Sequence, residues 1–411
     1  MPPLSAVAPA ESLPTLKLKH GEGRRLRAGH LWVFSNEVDT AATPLTGFEP
    51  GGLVQVVDER RQFVGHAYVN PATLIAARIV SRRADEPVDG ALFGARLKRA
   101  LALRERIHRR PFWRWVYGES DGLPGLVLDR FGDLVVGQVA TLGMERLKPL
   151  VEEAVRGVLA PAAFVWKNDS GARALEGLAP EFEVCWGDAP AELEVVETLA
   201  DGRALRYGAA LAEGQKTGWF YDQAANRAAL PRFLPPGARV LDVCSYAGAW
   251  AVTALAAGAA EATCVDASQS ALDRAAANAR ANGFEAGVRR GDAFELLAAL
   301  AAAGERYDAV IVDPPAFIKR RKEFPQGLAA YRKLNQLALR LLGRDGLLVS
   351  CSCSWHLGAD DLLGAIQGAA RHVDRFVQLL QAGGQSPDHP VHPAIPETRY
   401  LKAFFCRVTH E

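Results

Sequence analysis

Between Leu16 and Arg83 the apolar residues fall in short runs. Residues 53–57, 63–69 and 74–80 are rich in β-branched and aromatic side chains and are separated by polar or Gly/Pro turns. Such runs predict strands, and several within about 70 residues predict a small β-barrel. From 86 to 115 the pattern changes: Leu92, Leu97, Leu101 and Leu103 recur at roughly helical spacing among arginines, which predicts a helix. Residues 126–128 and 134–139 then bracket the turn Arg130-Phe131-Gly132-Asp133 and predict a hairpin. A helix over 144–159 and short strands over 163–166 and 182–186 complete a compact α+β region. From about Pro235, strand-like runs at 239–243, 261–266, 307–313 and 346–351 alternate with helical segments. That alternation predicts a parallel sheet with crossover helices, the α/β class.

Composition works mainly by exclusion. The chain has 411 residues, 49% apolar and 23% charged, which excludes a disordered, collagen-like or coiled-coil chain. No apolar stretch reaches the ~18 residues of a membrane-spanning helix, so no membrane partner is expected. Residues 1–14, rich in Pro, Ala and Ser, predict a disordered tail and lack the charge pattern of a secretory signal. Six cysteines without a CxxC pair argue against a disulfide framework, and the expected location is cytoplasmic. The net charge of +1 hides an asymmetry: residues 15–116 hold 18 Lys+Arg against 10 Asp+Glu, and residues 117–411 hold 30 against 36. A basic front end fits a polyanion-binding module; an excess of solvated helix arginines is the plain alternative. Lys17, Lys19, Arg24, Arg25 and Arg27, followed by Trp32 and Phe34, are its candidate contacts.

Ligands of open α/β sheets bind at the carboxyl ends of the strands, so the residues there carry the chemistry. Val240 to Trp250 reads as a strand, a tight turn and a helix start, and Ser245, Tyr246 and Gly248 lie in that turn. One glycine in place of GxGxxG disfavours a pyrophosphate cradle. Asp242, Asp266 and Asp292 recur in successive βα units. A single strand-end Asp is usually a helix N-cap, but three in register favour an adenosyl pocket, with Asp266 on the ribose hydroxyls. Asp313-Pro314-Pro315-Ala316-Phe317 forms a rigid loop after a strand, followed by Lys319 and Arg320 as candidate phosphate contacts. Cys351 and Cys353 close the next strand. No second Cys/His pair supports a metal site, and a strand-end thiol beside this loop suits a nucleophile, which favours Cys353.

With these residues in place, the chain resembles the class I S-adenosylmethionine (SAM)-dependent methyltransferases. More narrowly it resembles the bacterial large-subunit ribosomal RNA cytosine-C5 methyltransferase I family. The narrower likeness rests on Gly118 to Leu126 (GESDGLPGL), Gly214 to Gln223, Asp388-His389-Pro390 and Tyr400-Leu401-Lys402. After the tail at 1–14 it implies a PUA-like RNA-binding β-barrel at 15–85, a central α+β domain at 86–195 and a Rossmann-like methyltransferase domain at 196–411. It implies SAM contacts from Gln223, Arg227, Asp242, Asp266 and Asp292, a nucleophile at Cys353, and Asp313 holding the cytosine; the partner is ribosomal RNA. Ala224 departs from the Arg usual in the family, and Cys351 is an additional thiol. An exocyclic-amine methyltransferase and a non-catalytic RNA-binding assembly factor are the competing readings.

Overall fold

The structure, a computed structural model, describes residues 13–199, 201–214 and 217–410. The expected tail therefore lies outside the described residues except for Leu13 and Pro14, as do Gln215 and Lys216. The chain divides into two compact units. One comprises 1–191, 211–219 and 388–398; the other comprises 192–210, 220–387 and 399–411.

The first unit contains two five-stranded sheets. In the first, Thr15–Lys17, Trp32–Phe34, Leu53–Val57, Phe63–Val69 and Ile75–Ser81 lie in the order first, third, fourth, fifth, second. Leu16, Val33, Val56, Ala67 and Ile79 fill its core. The second sheet runs in chain order through Phe112–Tyr117, Leu126–Phe131, Leu134–Val139, Ala163–Asn168 and Glu181–Trp186. The helices Gly90–Ile107 and Lys148–Val158 pack with it around Trp115, Phe164 and Trp166.

The helix expected over 86–115 is shorter. Asp89 caps its start by accepting the Leu92 N–H at 3.0 Å. It ends at Ile107, because Pro111 cannot continue a helix and the aromatic run behind it pairs as a strand. Arg104, near its end, is fully buried. Its guanidinium grips Asp121 at 2.6 and 2.7 Å and the Asp388 carbonyl at 2.7 Å, while the Asp388 carboxylate accepts the Arg114 N–H at 2.9 Å. Two of the strings behind the family resemblance thus meet on one buried cation. Asp129 is held in the same way by Arg114 (2.8 Å, two bonds) and by the Thr217 hydroxyl. These motifs are staples of the fold: a buried charge is tolerated only when it is paired.

The second unit opens with the hairpin Glu192–Thr198 and Ala204–Ala210. The boundary expected at 195/196 falls inside its first strand, which cross-strand pairing from Glu192 onward keeps with this unit. The main sheet has seven strands, here numbered in chain order: β1 Arg239–Val243, β2 Glu261–Asp266, β3 Gly287–Arg290, β4 Tyr307–Val312, β5 Leu342–Ser352, β6 Arg375–Gly384 and β7 Lys402–His410. Their spatial order is β3-β2-β1-β4-β5-β7-β6. The first five are parallel, as expected for crossover units. β7 is antiparallel to both neighbours, so the sheet is mixed and not wholly parallel. The order reverses at β1/β4, a switch point that opens a crevice at the strand ends.

Candidate active site

The turn after β1 bends sharply. Cys244 (φ 61°), Tyr246 (φ 48°) and Gly248 (φ 74°) are all left-handed, and the two non-glycine residues cost on the order of 1–3 kcal/mol each. Strain of that size persists only where the surroundings impose it. Here the Ser245 N–H donates to the Val265 carbonyl (3.1 Å), the Tyr246 N–H to Asp266 Oδ2 (3.0 Å) and the Gly248 N–H to the Ser245 carbonyl (2.9 Å). Gly248 serves packing: a Cβ there would stand 2.7 Å from that of Ala275 on the helix Gln269–Ala281.

Asp242, on β1, is fully buried. Its Oδ2 accepts the Ala251 N–H at 3.1 Å, and its Oδ1 is buried without a hydrogen-bond partner. Burial pushes its carboxyl up to about 8, with the nearby Asp313 and Asp266 adding to the shift. Asp266 is half-buried at the end of β2, and its Oδ1 also accepts the Ser268 N–H at 2.9 Å. Asp292 is exposed and caps the helix Ala293–Ala302 through the Phe294 and Glu295 N–H groups, at 2.9 and 3.2 Å. The cap reading set against a ligand role is thus realised at Asp292.

Asp313 ends β4. Its Oδ2 accepts from Gln223 Nε2 (2.9 Å) and from the Trp250 indole N–H (3.2 Å). Trp250 went unassigned in the sequence, although it closes the motif-like run after β1. Gln223 in turn accepts from Asn226 Nδ2 at 2.6 Å. Arg227, expected at the cofactor, is buried and committed elsewhere: it pairs with Glu197 on the hairpin and donates to the Phe220 carbonyl at 2.9 Å. It positions the segment Phe220–Arg227. An unpartnered acceptor on Asp242, the Asp266 carboxylate and a backbone turn under strain form a polar, anionic cradle that fits a cationic nucleoside such as SAM.

Cys353 follows the last residue of β5 and is half-buried; Cys351, two residues earlier, is fully buried, and burial raises its thiol well above the usual range. A rigid frame brackets Cys353. The Ser352 hydroxyl donates to Tyr331 OH (2.9 Å), Tyr331 OH lies 2.9 Å from Ser354 Oγ, and the Ile318 N–H of the proline loop donates to Ser354 Oγ (3.2 Å). Lys402 Nζ donates to the Ser354 and Tyr400 carbonyls at 2.6 and 2.7 Å, and its charge interacts with Cys353. Burial lowers the Lys402 ammonium to about 8. Tyr331 and Lys402 were not assigned roles from sequence, because each reaches the thiol from a distant element.

The basic candidates separate. Lys17 pairs with Asp39, Arg25 with Glu37 and Arg27 with Asp58, and Lys19 Nζ donates to the Asn36 carbonyl. Three of the five are thus tied into internal ion pairs. Arg24 is exposed, as are Lys319 and Arg320 beyond the proline loop. No metal-ligating cluster is found among the described residues, and no described helix is long and apolar enough to cross a membrane.

Residues 16–82 match the PUA-like domain family, and residues 173–406 match the S-adenosylmethionine-dependent methyltransferase family. The chain is 35% identical over 400 residues to the ribosomal RNA large subunit methyltransferase I of Erwinia tasmaniensis, covering 96% of this chain and 99% of that one. It is 34% identical over 402 residues to the Salmonella arizonae protein of the same name, covering 96% and 98%. Among solved structures, a SAM-dependent methyltransferase from Streptococcus mutans superposes with a TM-score of 0.80 at 20% identity, covering 96% of this chain and all of that one. That likeness bears on the fold alone. With a methyltransferase match over more than half its length and full-length relatives above 30% identity, this chain is a SAM-dependent methyltransferase and belongs to the ribosomal RNA large subunit methyltransferase I family.

Proposed function

We propose that the protein methylates carbon-5 of a cytosine in large-subunit ribosomal RNA through a covalent adduct on Cys353. The observation that carries this reading is the contrast between two thiols on one strand. Cys351 is sealed in the sheet, while Cys353 is partly exposed, its neighbour Ser354 is tied to the proline loop, Tyr331 and Lys402, and the Lys402 charge acts on it.

SAM supplies the electrophilic methyl group; Asp242 and Asp266 would hold it. Carbon-5 of cytosine is not nucleophilic by itself. Cys353 forms a bond to carbon-6 and drives an electron pair onto carbon-5, where the methyl group is accepted. Removal of the carbon-5 proton by a base then expels the thiolate and restores the ring. Asp313, fixed by Gln223 and Trp250, is suited to hydrogen-bond the cytosine edge and favour protonation at N3. Its anion does not help ionise the thiol; the Lys402 cation does.

Phe317 weighs against an exocyclic-amine reaction. Its partly buried ring packs on Tyr331 (4.8 Å between centroids) and Phe294 (5.9 Å), and Ala316 takes the position directly after the prolines where such enzymes place an aromatic ring. Tritium transfer from labelled SAM to ribosomal RNA, followed by identification of the modified nucleoside, tests the proposal. 5-Methylcytidine supports it; an N-methylated base overturns it.

Two further outcomes follow. Asp266→Ala removes both a cofactor carboxylate and the acceptor that braces Tyr246, so SAM affinity by calorimetry should fall at least ~10-fold, about 1.4 kcal/mol. Unchanged affinity would take Asp266 out of the pocket. Lys402→Met removes the cation that favours the thiolate, so the acidic limb of the pH–rate profile should move to higher pH. A profile that keeps its midpoint while only its height changes would assign Lys402 a purely structural role.

A further inference from the structure

The first unit contains a cleft of about 950 Å³ whose walls carry arginines that the sequence pattern did not single out. Arg96, Arg99 and Arg106 project from the helix Gly90–Ile107 at spacings of three and seven residues, which places them on one face with Leu92 and Leu103. At ~1.5 Å per residue this row extends for about 15 Å. Arg82, following the first sheet, faces it. Its guanidinium is anchored on the Leu26 and His30 carbonyls at 2.6 and 2.9 Å, so it is oriented without being neutralised.

None of these four arginines forms an ion pair with a carboxylate among the described residues. Four such arginines outnumber the two carboxylates of the cleft that lack a cationic ion-pair partner among the described residues, Glu86 and Glu119. Asp121 is taken by Arg104, Glu119 accepts the Trp32 indole N–H at 2.8 Å, and Glu86 accepts the Ser81 hydroxyl. Arg96 is partly buried and donates to the Gly122 carbonyl; burial lowers it to about 10, with the Glu86 charge opposing the shift and Arg99 adding to it. Arg99 and Arg106 are exposed, so the cost of desolvation falls on Arg96, and an anion along the row would offset its like charges. This contrasts with the amino-terminal cluster, where Lys17, Arg25 and Arg27 already have internal partners.

We propose that this cleft grips the phosphodiester backbone of the RNA substrate, with Arg96, Arg99 and Arg106 as a linear row of phosphate ligands and Arg82 as the opposing wall. The proposal rests on RNA being the substrate, but not on which atom is methylated. A row of cations over an apolar floor suits a chain of regularly spaced phosphates better than a single small anion, and guanidinium forks suit phosphate oxygens.

The test is fluorescence anisotropy of a labelled single-stranded RNA oligonucleotide with the full chain over a salt series. The triple variant Arg96→Gln/Arg99→Gln/Arg106→Gln should bind at least ~10-fold more weakly at ~0.1 M salt. Its slope of log K against log[salt] should be shallower by about two, at ~0.7 for each phosphate no longer neutralised. The corresponding triple Arg→Lys variant should keep most of the slope, because the charges remain. If the Gln triple does not fold, Arg99→Gln/Arg106→Gln, at two exposed positions, should still flatten the slope by about 1.4. A Gln variant with the wild-type slope and affinity overturns the assignment. Wild-type protein that binds no RNA overturns the RNA reading along with it. RNA binding that weakens only in the Gln variants upholds the cleft even where the methylated product is not 5-methylcytidine.

Discussion

Replacing Cys353 by serine should reduce methyl transfer to background and abolish the covalent adduct with RNA carrying 5-fluorocytosine. The fluorine cannot leave as a proton, so wild-type protein should be trapped at the stage the serine variant never reaches. Serine is a poor nucleophile at neutral pH, and Cys353 is the partly exposed thiol on which the Lys402 charge acts. Cys351→Ser should cost little. That side chain is buried beside Gln223, where a hydroxyl can keep the hydrogen bond. SAM binding should survive both changes. Mapping the trapped peptide to Cys351 would reverse the assignment, and full turnover by the double variant would end covalent catalysis as an explanation.

The strands that build the cofactor side of the sheet could be read from the sequence because each is an apolar run ending in a polar residue. The runs at 239–243 and 261–266 are β1 and β2 to the residue. β3, placed before Asp292 only by the succession of βα units, had no bounds of its own: Gly287, Val288, Arg289 and Arg290 are all exposed, so no apolar pattern marks an edge strand paired to β2. The expected helix over 86–115 overran because the leucine spacing that predicts it carries no information beyond Leu103. Arg104 and Arg114 are buried in ion pairs, and the aromatic run from Phe112 is a strand.

The site was legible where local chemistry fixes it and obscure where distant segments do. Asp242, Asp266 and Asp313 stand at strand ends, where topology alone makes them neighbours. Arg227 could not be read as a clamp, because its partner Glu197 sits 30 residues earlier on a hairpin strand whose pairing with Arg227 no local pattern announces. In the same way Asp388 joins the first unit, 274 residues from the Arg114 N–H it accepts. Motif strings report that a residue is needed; only the fold separates those that hold the chain together from those placed for chemistry.

Asp242 offers the largest stability effect. Its carboxyl titrates near 8 in the folded protein, driven first by burial, against about 3.9 in an unfolded chain. Between those values the folded state binds a proton that the unfolded state has lost, so this group makes stability fall as pH rises from about 4 to about 8. Asparagine is close in shape, can still accept the Ala251 N–H, and does not titrate. Asp242→Asn should therefore unfold in urea much like wild type at or below about pH 4. By pH 8 it should be the more stable protein by a few kcal/mol, because each pKa unit is worth about 1.4 kcal/mol. Other titrating groups are common to both proteins and cancel in the difference. Parallel curves across that range would show that the carboxylate is solvated or paired in the native state. A cation bound in the cradle favours the ionised carboxylate, so SAM affinity of the wild type should climb from pH 6 to pH 8 while that of Asp242→Asn stays flat.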